Sequence, residues 1–202
     1  MTTQHKPAPV ETGRQVERTT AQPLPERRET RRPGGRVLAI TRIALGFVFL
    51  WAFLDKTFGF GYATPAKGAW IHGGSPTAGF LGHLEAGPLR GMFASMAGVG
   101  VVDWLFMVGM LGVGIAMILG IGLRVSAVAG SLLMLGMWLA EWPLAKFGAS
   151  GAPTMSTNPL IDYHVIFALV LIVCAVAYAG RTWGLGRLWE RLPVVRGNRW
   201  LV

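Results

Sequence analysis

The chain has 202 residues, 52% of them hydrophobic and only 14% charged, with a mean hydropathy of +0.46. Soluble domains carry about a quarter charged residues, so this composition excludes an ordinary soluble fold and predicts an integral membrane protein. The net charge of +9 does not imply nucleic acid, because the basic residues flank apolar runs as the positive-inside rule predicts.

Residues 1–35 are rich in Thr, Pro, Glu and Arg and nearly free of large apolar side chains. Such a segment cannot bury enough surface to fold and reads as a disordered basic tail. The apolar run after it, Val37 to Leu54, is long for a signal peptide, and FLDKTFGFG follows in place of a small-x-small cleavage pattern. It reads as an uncleaved first span. Arg42 lies about two turns inside it. The expected behaviour is snorkelling toward Arg36 and the headgroups; the other reading is a pairing inside a helix bundle.

Residues 57–98 form a Gly- and Pro-rich connection too long for simple punctuation. Ser75-Pro76 is a helix-start signal. Leu89, Met92, Phe93 and Met96 recur at i, i+3, i+4 and i+7, predicting a short amphipathic helix on the membrane surface or capping the bundle. The second span runs from about Val101 to Ile121. Its Gly112, Ala116 and Gly120 form a small-residue seam that lets a neighbouring helix approach. GIGLR at 120–124 predicts a tight reversal. The third span, about Val125 to Trp142, carries a shorter small pair at Ser126 and Gly130 and stops at Pro143. Its Trp138 and Glu141 share a face.

A polar loop over 143–158 leads to the fourth span, Ile161 to Tyr178, about 27 Å long at ~1.5 Å per residue. After Gly180, the residues Leu185, Leu188, Trp189 and Leu192 keep helical spacing with Arg187 and Arg191 on another face. This predicts an interfacial amphipathic helix. Gly184 and Gly186 lack the strand and third glycine of a nucleotide fingerprint.

The expected fold is therefore an all-α membrane protein, a four-transmembrane-helix bundle with short interfacial helices. The expected organisation is a tail at 1–35, a membrane domain at 36–180 and an amphipathic segment at 181–202. Lys and Arg number eight before Val37, one between spans two and three and five after span four, against four on the other side. Both termini are then cytoplasmic in a multi-pass protein of the bacterial plasma membrane.

That orientation puts Asp55, Lys56, Asp103, Glu141, Asp162 and His164 near the outer ends of the four spans, with Trp51, Trp104, Trp138 and Trp142 at the same depth. Three chemistries can use such a cluster. The positive ends of spans two and four can hold an anion. Carboxylates and histidine can move protons, with Asp103, Glu141, Asp162 and His164 as the catalytic candidates. An aromatic-walled slot can hold a flat quinone ring. The competing reading is structural: Asp caps helix starts, and Trp belts occur in membrane proteins of every function. On a regular helix Asp162 and His164 point about 200° apart. Asp162 is the expected inward member, with Asp103 or Glu141 beside it. The lone Cys174 excludes an internal disulfide, a CxxC relay and a thiolate metal site. There is no CxxCH motif, and neither bound metal nor haem is expected from His72 and His83.

Taken together, RIALGFVFLWAFLDKTFGFG at 42–61, GSPTAGFLGHL at 74–84, GIGLR at 120–124, AEWPL at 140–144 and STNPLIDYH at 156–164 resemble the DoxX/DoxD family of small four-span bacterial membrane proteins. The resemblance covers about Arg36 to Pro193. It is nearest to actinobacterial members that serve as the large subunit of a quinone-linked thiosulfate dehydrogenase. It implies oxidation of thiosulfate to tetrathionate, a membrane quinone as electron acceptor and a second small subunit. On that reading Lys56 and Arg90 localise the anion, with Asp55, Trp104 and Trp138 around it. The outer side nevertheless carries five carboxylates, Glu85 included, against four cations, a balance that suits proton handling better than a dianion. No redox centre is intrinsic to the chain, so a partner or direct contact must carry the electrons. Two other readings remain: a non-enzymatic membrane scaffold for redox enzymes, and a small proton-linked transporter using Asp103, Glu141 and Asp162, with a homo-oligomer supplying symmetry.

Overall fold

The computed structural model describes Met1 and residues 33–201. The reading of a disordered tail falls almost wholly on residues 2–32 and lies outside the described residues. The rest is helical. In chain order the helices are α1 (Pro33–Phe58), α2 (Ala78–Leu81), α3 (Arg90–Ser95), α4 (Gly100–Leu119), α5 (Leu123–Glu141), α6 (Tyr163–Val176), α7 (Gly186–Trp189) and α8 (Pro193–Arg196).

Three helices, at 34–58, 100–119 and 123–141, are long and apolar enough to cross a membrane. The fourth, α6, is apolar but has 14 residues, about 21 Å at ~1.5 Å per residue. It is shorter than expected because Asp162 caps it at one end and Tyr178 turns left-handed (φ 51) at the other. The four close into a ring: α1 packs on α4 and α6, and α5 packs on the same two. Inside lies a core of Leu45, Phe49, Met107, Met110, Val113, Met117, Met134, Leu171 and Cys174. Outside, Val108, Ile115, Val128, Leu132, Leu135, Leu169 and Val176 are exposed. Such a mantle is a liability in water and the natural surface in hydrocarbon. The protein is a helical integral membrane protein.

The predicted reversal at GIGLR forms. Gly120 closes α4 in the left-handed region (φ 72), its N–H donating to the Ala116 carbonyl at 2.8 Å, as a helix C-terminal glycine does. Ser75 Oγ accepts from the Ala78 N–H at 3.0 Å, but α2 starts later than Ser75-Pro76 predicts, with Thr77 at its N-cap; α3 occupies most of the predicted 89–96 stretch.

Three expectations change. Gly112 is exposed, and a Cβ there would meet nothing within 4 Å. The close contact is made by Gly114, two residues and about 200° further round. A Cβ on Gly114 would lie 2.8 Å from the Leu50 nitrogen, and one on Gly46 would lie 2.9 Å from the Ile118 nitrogen. Gly114→Leu is therefore expected to abolish most folded protein, with Gly112→Leu near wild type. Monodisperse yield and thermal unfolding in detergent measure this.

Arg42 does not snorkel. It is fully buried and donates to the carbonyls of Met117, Ile118 (2.8 Å) and Trp183 (2.9 Å). The third change is the C-terminal segment, which is no continuous amphipathic helix. α7 is one turn, the Leu185 N–H donates to the Leu119 carbonyl at 2.7 Å, and Arg181 grips Glu190 at 2.8 and 3.3 Å. Trp189 Nε1 reaches the Leu201 carbonyl and Val195 is buried. The segment closes the end of the bundle where α4 stops.

Candidate functional site

At the opposite end, where α1 and α5 finish and α4 and α6 begin, two connections fold over the helix ends. The carboxylates there divide into two kinds.

Asp55 and Asp103 serve the connections. Asp55 ends α1, is 2% exposed, and accepts from the backbone N–H groups of Tyr62, Ala63 and Thr64 at 3.2, 2.9 and 2.9 Å. Asp103, in the first turn of α4, is also buried. One of its oxygens accepts from Ser75 Oγ (2.9 Å), the Thr77 N–H (2.9 Å) and Thr77 Oγ1 (2.6 Å). Each carboxylate thus replaces the water that turn N–H and hydroxyl groups would otherwise need. For Asp103→Ala we expect much faster proteolysis around 75–78, measured by limited digestion of the purified protein.

Glu141, Asp162 and His164 are different, because their side chains meet one another and the Tyr163 hydroxyl. Asp162 is the N-cap of α6, in extended backbone (φ −106, ψ −171), and its Oδ1 accepts from the N–H groups of His164 (3.0 Å) and Val165 (3.2 Å). Its other oxygen, Oδ2, takes the His164 Nδ1 hydrogen at 2.8 Å. Asp162 and His164 do not point about 200° apart, as two residues of one regular helix would, because Asp162 stands outside the helix. The expected inward residue is corrected with it: Asp162 sits at the rim, and His164 is fully buried. Glu141 closes α5, with Oε2 3.9 Å from His164 Nδ1 and Oε1 accepting from the Tyr163 hydroxyl at 3.1 Å. One ligand-type atom from each of Glu141, Asp162 and His164 lies within 4.8 Å of the others.

Glu141, Asp162 and Tyr163 open onto a cavity of about 510 Å³ between the two connections. Phe80 and Leu84 form apolar wall, and His83, Glu85, Ser156 and Asn158 supply polar groups. Among the described residues no lysine or arginine lines it. The volume falls in the ~300–1,000 Å³ range of small-molecule sites. Among the described residues, the buried His164 Nε2 and Trp138 Nε1 have no hydrogen-bond partner, and neither residue lines the cavity.

No family model, curated protein or solved structure matches the chain. The site therefore has to be read from its own geometry.

The other predicted residues lie elsewhere. Lys56 follows Asp55 at the end of α1 and is half-buried. Arg90 is exposed at the start of α3 and lines a separate recess of about 410 Å³, which shares Glu85 with the main cavity. Trp104 is 61% exposed and meets Trp70 edge-on at 4.6 Å. Trp138 tilts against Trp142 at 6.0 Å. Lys56, Asp55, Arg90, Trp104 and Trp138 do not converge on one place, and Asp103 lies outside both the Glu141 cluster and the cavity lining. Sequence reasoning passed over Tyr163, although it adjoins both Asp162 and His164, and it left out Phe80 and Ser156, which nothing in their local pattern marks.

Proposed function

We propose that the chain is the membrane subunit of a quinone-linked oxidoreductase of the DoxX kind, and that the 510 Å³ cavity is where its acceptor is protonated. On this reading α6, with the extended residues that lead into it and the tight turn at 178–181 after it, makes the fourth crossing. The observation that carries the proposal is the linked set Glu141–Tyr163–Asp162–His164 at the wall of the cavity.

The residues suit a quinone headgroup. Aromatic and aliphatic wall faces hydroxyl and carboxylate groups. A bound quinone supplies an acceptor of two electrons and two protons. Oxidation of two thiosulfate ions to tetrathionate releases two electrons and no proton, so the protein side must deliver both protons. Glu141 and Asp162 exchange protons with water in the cavity. Tyr163 holds Glu141 in place through its hydroxyl. His164, held by Asp162 and close to Glu141, stores a proton behind the wall and orients the carboxylates.

The same cavity is a poor host for a dianion, because Glu85, Glu141 and Asp162 line it and, among the described residues, no lysine or arginine does. Thiosulfate is therefore assigned to the second small subunit implied by the resemblance, docked on the same side. The test is thiosulfate-driven quinone reduction in native membrane vesicles lacking the chain, then complemented with it. Recovery with the wild type and failure with a folded Asp162→Asn chain support the reading. Equal recovery with both reduces the chain to a scaffold.

A further inference from the structure

A second cavity, of about 270 Å³, lies between α4 and α5 beneath the first connection. Val102, Leu105 and Phe106 line it from α4, and Leu133, Gly136 and Met137 from α5; Phe93 and Met96 of the connection roof it. Leu105 and Leu132 on its edge are 70% and 63% exposed. Both belong to helices long and apolar enough to cross a membrane, so this crevice opens sideways into hydrocarbon. It lies near the start of α4 and the end of α5, the same end of the bundle as the polar cavity.

The two cavities are neighbours. Phe80 lines both, as the wall between them. On α5 the sequence from one to the other is Leu133, Met137, Glu141, a step of four residues and about 6 Å each time along one helix face. A polar chamber joined at one wall to an apolar slot that is open to the bilayer matches a ligand with a polar ring and a hydrocarbon chain.

We infer that the α4–α5 crevice holds the isoprenoid tail of the membrane quinone, which reaches the polar cavity from the side of the bundle, past Phe80. This rests on the quinone reading above and adds the route and the part of the ligand that gives affinity. The crevice offers almost only hydrocarbon contact: among the described residues its one side-chain hydroxyl is that of Thr77, which already donates to Asp103, so tail length, and not ring chemistry, should set how it is filled.

Gly136 allows a direct test. A Cβ at this position would meet nothing within 4 Å, so Gly136→Leu fills the crevice without a backbone clash. Gly112→Leu is the control, adding the same bulk on an exposed part of α4 outside the crevice. Binding to purified full-length protein in nanodiscs is measured for benzoquinone and naphthoquinone rings, each with and without a polyisoprenoid tail. The expected result is a loss of about tenfold or more in affinity for the tailed quinones in Gly136→Leu. Tail-less quinones should bind all three proteins equally, and Gly112→Leu should match the wild type. Unchanged tailed-quinone affinity in Gly136→Leu overturns the crevice assignment while tail-less binding keeps the cavity reading alive. Loss of co-purified phospholipid from Gly136→Leu with quinone affinity intact also overturns it and gives the crevice to lipid. Absence of any quinone binding to the wild type removes both proposals together.

Discussion

Asp162→Asn is expected to lower quinone-linked turnover by about 10²–10⁴-fold, the usual worth of a general acid or base, while the protein folds and inserts normally. The two halves of that result come from different atoms. Oδ1 caps α6 by accepting from the His164 and Val165 N–H groups. Asparagine caps nearly as well as aspartate, so the helix start survives. Oδ2 faces His164 Nδ1 at 2.8 Å. An amide there neither takes up a proton nor balances an imidazolium, so the proton function goes. Asp162→Ala separates the effects from the other side: it removes the cap as well, at about 0.5–2 kcal/mol of stability.

His164→Gln is expected to lower turnover in the same way. His164 is buried behind the wall and acts through Asp162 and Glu141. The double variant Asp162→Asn/His164→Gln should be little slower than either single one, because the pair acts as a unit. Rates in vesicles across pH, normalised to inserted protein, decide it. Full activity in both single variants makes Asp162 a helix cap, His164 a buried core histidine, and the chain a scaffold.

The membrane character of the chain and the three long helices were legible, because a run of about 20 apolar residues has one reading in any context. The reversal at GIGLR was legible because Gly120 must be left-handed. What failed to show was helical phase. Gly109, Gly112, Gly114, Ala116 and Gly120 offer several small-residue faces on α4, and only the position of α1 selects the one through Gly114. The site was half legible. Counting helix ends put Glu141, Asp162 and His164 at one end of the bundle. It put Asp55 and Asp103 there too, with no means of telling that turn N–H and hydroxyl groups had already claimed their oxygens. The Asp162–His164 contact was missed for a local reason: treating Asp162 as helical, when its own capping role takes it out of the helix.

Arg42→Met is expected to damage the fold severely, at about 1–3 kcal/mol for each carbonyl that it leaves without a donor. Met117 and Ile118 lie in the last turn of α4, where carbonyls have no helical N–H left to accept from. The Arg42 guanidinium supplies donors to both, and its positive charge meets the negative end of the helix dipole. The other side of the same guanidinium donates to the Trp183 carbonyl at 2.9 Å, beyond the end of α6. One side chain thus ties α1 to α4 and to the segment that closes this end of the bundle. Gly120 and Gly184 leave it room: a Cβ on either would lie 2.9 or 3.1 Å from an Arg42 terminal nitrogen. Methionine fills similar length without a donor and strands those carbonyls in a site closed to water, at about 1–3 kcal/mol for each unmet group. Lysine restores the charge but has one compact ammonium in place of a planar fork, so Arg42→Lys should recover only part of the loss. Two readouts follow: thermal unfolding in detergent, and protease sensitivity of residues 181–202, which should rise sharply once Trp183 is released. A snorkelling arginine predicts the opposite, near wild-type stability and a C-terminal segment as protected as before.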